Sequence, residues 1–90
     1  MNYQTVKTHL ESAHSILIAS GEELDLHELG SFPAAIARKD FRHATAILEE
    51  CGASANCEAD FWRELLLAAR ELELPRYIAR IEKRVGLETK

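Results

Sequence analysis

Apolar positions recur along this chain at helical spacing, and proline and glycine interrupt them at short intervals. Val6, Leu10, Ala13 and Leu17 fall at i, i+4, i+7 and i+11, a single apolar stripe that predicts a helix from about Tyr3 to Ser20. Gly21, Gly30, Gly52 and Gly86 each follow a helix-compatible stretch and read as helix stops, because the left-handed position past a helix end suits a residue without Cβ. Leu24, Leu26 and Leu29 fit either an alternating or a helical pattern. A strand there has no partner elsewhere, so residues 22–29 read as a short helix or an irregular acidic segment.

Pro33 opens a brief third segment, Ala34 to Ala37, since a missing N–H costs nothing in a first turn. Asp40 then has the chemistry of an N-cap. Phe41, Ala44, Leu48 and Cys51, with Ile47 beside them, form the buried face of the helix it starts, and Gly52 is expected to end that helix. Residues 53–57 read as a loop of small residues, with Asn56 placed to cap the next helix. From about Ala59 to Glu73 the apolar face is broad: Phe61, Leu65, Ala69 and Leu72 make the stripe, and Trp62, Leu66 and Ala68 widen it. Such a face predicts a central helix contacted on more than one side. A last helix starts at Pro75 and carries Ile78, Ile81 and Val85 inward, with Arg80, Lys83 and Arg84 toward its end, as the helix dipole prefers. No strand pattern competes. The expectation is an all-α fold over residues 1–90: one domain, a compact bundle of four main helices plus short helical turns.

Composition narrows the function classes. The 90 residues are 47% hydrophobic and 29% charged, which fits a globular domain with one core and excludes a disordered tail. No apolar run approaches the ~18–20 residues of a membrane span. The opening Met1-Asn2-Tyr3-Gln4 does not read as a secretory leader, so the expected location is the cytoplasm, with Cys51 and Cys57 as free thiols. Net charge is −4, and it is uneven: −4 over residues 1–30, −2 over 31–60 and +2 over 61–90. An acidic first two-thirds argues against nucleic acid as partner and favours a basic protein.

Chemistry-bearing patterns are sparse. His9 and His14 are five residues apart on one helix and diverge, whereas metal pairs on helices sit at i, i+3 or i, i+4. His27 and His43 have no ligand at useful spacing, and two cysteines without a Cys-x-x-Cys spacing do not make a zinc site. Cys57, just before a helix N-terminus, is the better of the two thiols for a lowered pKa. No phosphate loop or nucleophile elbow is present. The expectation is therefore a non-enzyme with no catalytic residue, metal or cofactor. What stands out is acidity: Glu22, Glu23, Asp25 and Glu28 crowd one joint, and Glu49, Glu50, Glu58 and Asp60 flank the Cys51–Cys57 loop. These eight carboxylates are the candidate partner-binding residues.

The segment from Ala37 to Gly52, a short turn leading into a helix that ends Leu48-Glu49-Glu50-Cys51-Gly52, is followed by a loop, then Phe61-Trp62-Arg63-Glu64-Leu65 and Ala68-Ala69 with Leu72 and Leu74. Over about residues 36–82 this resembles the small all-helical immunity proteins of bacterial contact-dependent-inhibition and polymorphic-toxin systems. The resemblance implies a cytoplasmic protein that binds one cognate toxin domain, often a basic nuclease, and covers its active site or substrate-binding surface. It transfers no individual residue role. The alternative reading is a small helical adaptor or regulatory interaction module. Neither reading fixes the oligomeric state.

Overall fold

Asn2 starts the first helix by offering Oδ1 to the amides of Gln4 at 3.0 Å and Thr5 at 3.2 Å. Helix α1 then runs Tyr3–Ser20, and Val6, Leu10, Ala13 and Leu17 are all fully buried along its stripe. The computed structural model describes residues 2–20, 24 and 26–88. It continues with α2 (Leu26–Leu29), α3 (Phe32–Ala37), α4 (Phe41–Ser54), α5 (Ala59–Glu71) and α6 (Pro75–Glu88), and holds no strand among these residues. The fold is all-α, with four main helices and two short ones. No helix of the described residues is long and apolar enough to cross a membrane.

Helix α5 is the hub. It packs against α1, α4 and α6, while α4 also takes α2 and α3 against its other flank. Phe61, Trp62, Leu65, Leu66, Ala68 and Ala69 are buried on it, which accounts for the breadth of its apolar face. The shortest dimension of the molecule is 18 Å, room for two helix layers at ~8–10 Å separation. Long side chains tie these layers at the edges. His9 Nδ1 and Glu64 Oε2 lie 3.2 Å apart between α1 and α5, and the Asn2 amide donates to Glu71 Oε1 at 2.9 Å. The only buried polar side chain among the described residues, Thr45, returns its hydroxyl to the Phe41 carbonyl at 2.8 Å.

Helices α1 and α2 stop just before Gly21 and Gly30, where the sequence puts their ends, but the other two glycines end no helix. Gly52 lies inside α4 and Gly86 inside α6. Helices α3, α4 and α5 each close with the same pair of backbone hydrogen bonds around a non-glycine residue of positive φ. Lys39 (60°), Asn56 (56°) and Glu73 (55°) hold the left-handed position. The amide of the following residue then reaches back five positions: Asp40 to the Ala35 carbonyl, Cys57 to Gly52 and Leu74 to Ala69. This is the Schellman arrangement, which satisfies carbonyls that a helix end leaves open. Left-handed backbone costs an L-residue ~1–2 kcal/mol, so packing of the joints has to compensate. Asn56 ends α4 in this way and does not cap α5. The residue before α5 is Glu58, whose side chain makes no capping bond. Asp40 does cap α4, accepting from the His43 amide at 3.3 Å, and it also completes the closure of α3.

Gly52 has a different reason to be glycine. A Cβ there would lie 2.3 Å from Phe61 Cε2 and 2.7 Å from its Cζ. Phe61 is fully buried and meets Trp62 edge-on at 4.9 Å, so its ring has nowhere to retreat. Gly52→Ala should therefore destabilise the fold by ~1–3 kcal/mol, because overpacking outweighs the ~1 kcal/mol that alanine gains in helix propensity. Adding Phe61→Leu should recover part of that loss in a double-mutant cycle followed by urea denaturation. Additive losses would show that the two residues do not meet.

Candidate functional site

The eight carboxylates singled out from the sequence divide into three groups. Glu22, Glu23 and Asp25 lie outside the described residues. Glu28 is half-buried on α2. The remaining four surround the joint between α4 and α5. Glu50 is exposed one turn before the end of α4, Glu58 is exposed at the entry to α5, and Asp60 is exposed in its first turn, accepting from the Phe61 amide at 3.0 Å. Glu49 differs from these three. Both of its carboxylate oxygens accept from Arg80 of α6, from Nε and one terminal nitrogen, each at 2.7 Å. These hydrogen bonds raise the Arg80 pKa further above its ordinary value. Glu49 is therefore half of an inter-helix clamp.

Two hydrogen bonds fix the joint itself. The Cys57 amide closes α4 on Gly52, and the Cys57 carbonyl accepts from the Trp62 indole N–H at 3.1 Å. Ala55 and Cys57 are buried at this joint, while Asn56 and Glu58 stay exposed. Cys57 is 5% exposed, and burial, with Asp60 close by, pushes its pKa up. The shift is opposite to the lowered pKa that a place before a helix start favours: desolvation and a nearby carboxylate outweigh the helix start. Cys51 is also free and buried.

The histidines are separated by the fold. His9 faces Glu64, and His14 stacks on Phe32 at 4.5 Å with planes 8° apart. Burial against that ring lowers the His14 pKa, partly opposed by Glu11. His27 and His43 are exposed. Among the described residues no three metal-ligating side chains gather.

Two surface grooves meet at Arg80, and the sequence reading did not connect their residues. Helices α4 and α6 both lean on α5, leaving a trough between them. One end, about 600 Å³, is lined by Glu49, Glu50, Ala53, Arg80, Lys83 and Arg84. The other, about 320 Å³, is lined by Arg42, Leu74, Pro75, Arg76, Tyr77 and Arg80. Arg80 sits 4.6 Å from the Tyr77 ring and Arg84 sits 4.8 Å from the Trp62 ring. Glu49 and Glu50 thus border a surface richer in cations than in carboxylates. The positive charge of residues 61–90 was the available sequence signal, but Arg42 joins the same trough only through packing.

No family model matches this chain, and no curated protein or solved structure matches it either.

Proposed function

We propose that this chain is a partner-binding protein of the immunity type, which holds one cognate bacterial toxin domain and covers its active site or substrate-binding surface. The observation that supports this reading is the acidic joint between α4 and α5. Glu50, Glu58 and Asp60 are exposed there on backbone fixed by the α4 closure and by the Trp62–Cys57 hydrogen bond. Carboxylates on a rigid frame suit a basic surface, because little conformational freedom is lost on docking. In the complex they would stand where nucleic-acid phosphates stand on a basic nuclease, and apolar contacts would set affinity and specificity.

The test is growth rescue. The C-terminal domain of whatever protein is encoded immediately upstream is expressed with and without this chain. Relief of growth arrest by co-expression is the expected result, and arrest without relief overturns the proposal. With the toxin domain in hand, Glu50→Lys with Glu58→Lys should slow association about tenfold at low salt, with the difference shrinking as salt rises. An unchanged association rate would remove the joint from the interface.

A further inference from the structure

We infer that the trough between α4 and α6 is a docking site for an acidic amphipathic helix of another protein. This inference concerns an adjoining surface of opposite charge, which shares Glu49 and Glu50 with the acidic joint, and it does not depend on the toxin reading. The chain carries a net charge of −4, yet five of its eleven basic residues border this one trough. Only Glu49 and Glu50 oppose them there. Arg42, Arg76 and Lys83 are exposed, and among the described residues none has a carboxylate within ion-pair distance. Local charge is therefore opposite in sign to the whole molecule, and of its five cations Arg80 is the one bound to a carboxylate, Glu49, among the described residues.

Spacing identifies the occupant. Arg76, Arg80 and Arg84 recur every four residues on α6, so they form one row with ~6 Å between neighbours. Carboxylates at i, i+4 and i+8 of a partner helix repeat at the same distance, which lets the two rows run in register. Glu49 and Tyr77 hold Arg80, and Trp62 supports Arg84, so two of the three guanidinium groups are positioned before any partner arrives. Leu74, Pro75 and Tyr77 supply apolar surface at one end for the apolar side of such a helix. A nucleic-acid backbone fits less well. Glu50 stands in the trough, the cationic row spans only ~12 Å at 1.5 Å rise per residue, and the net negative charge repels a long polyanion.

The experiment is an NMR titration of the full chain, labelled with nitrogen-15, with three probes. The first is a 16-residue helical peptide with glutamates at i, i+4 and i+8. The second has the same composition with its glutamates spread around the helix, and the third is a short DNA duplex. The first peptide should shift amides of residues 42–53 and 76–84. Arg76→Glu with Lys83→Glu, both exposed and distant from the core, should weaken that binding about tenfold while leaving the circular-dichroism spectrum and thermal midpoint intact. Absence of shifts in the trough, equal binding of the second peptide, or tighter binding of the duplex would each overturn the inference.

Discussion

Trp62→Ala should remove ~3–5 kcal/mol of stability. That is a large part of the ~5–13 kcal/mol expected for a domain of this length at ~0.05–0.15 kcal/mol per residue. The indole is 2% exposed. It meets Phe61 edge-on at 4.9 Å, lies beneath the Arg84 guanidinium, and donates to the Cys57 carbonyl that closes the α4–α5 joint. Truncation leaves a cavity, an unpaired buried carbonyl and a loosened joint together. Trp62→Phe separates these effects. It keeps most of the apolar volume and deletes the donor, so its cost should fall to ~1–3 kcal/mol, the range for a buried acceptor left unsatisfied. Urea unfolding followed by circular dichroism measures both, since the only tryptophan is lost as a fluorophore. A cost below ~1 kcal/mol for Trp62→Ala would mean that the indole does not fill the core.

The helices were legible where a signal is local or periodic. The stripe Val6-Leu10-Ala13-Leu17, the Asp40 cap and the Pro75 start depend on a few neighbouring residues, and each lies where the sequence puts it. Gly52 was misread because glycine has two unrelated uses, and only the Phe61 ring, nine positions on, distinguishes them. The ends of α3, α4 and α5 carry Lys39, Asn56 and Glu73, and of these only Asn56 is a residue type that favours left-handed backbone. The surface was less legible still. Glu49 reads as a partner-binding carboxylate beside the Cys51–Cys57 loop, yet it is bound by a residue 31 positions away. One pairing across helices thus takes a charge out of the acidic cluster and ties it to the basic trough. Long-range side-chain pairing of that kind leaves no periodic trace.

This separation of roles also has energetic consequences. The Glu49–Arg80 clamp divides the carboxylates of the α4–α5 joint from the cations of the α4–α6 trough in role. Charge changes in either group should alter association more than folding, since exposed charges contribute little to stability. Folding is decided on α5, where core residues reach three other helices. Stability and recognition can therefore be perturbed independently.

Leu65→Ala is the cleanest test of that division. Leu65 is fully buried on α5, whereas Leu67, two residues on along the same helix, is 43% exposed. The two substitutions make the same chemical change in one helix, with the same small gain in helix propensity. Leu65→Ala should cost ~2–5 kcal/mol, combining lost transfer energy with the cavity that the surrounding helices leave only partly filled. Leu67→Ala should stay within ~0.5 kcal/mol of the parent, as surface changes do. Since α5 is the hub, unfolding of Leu65→Ala should remain a single cooperative transition, with circular dichroism and tryptophan fluorescence coincident but shifted to lower urea. Similar losses at the two positions would place the wrong face of α5 in the core. Separate transitions by the two probes would show instead that α5 does not join α1, α4 and α6 into one folding unit.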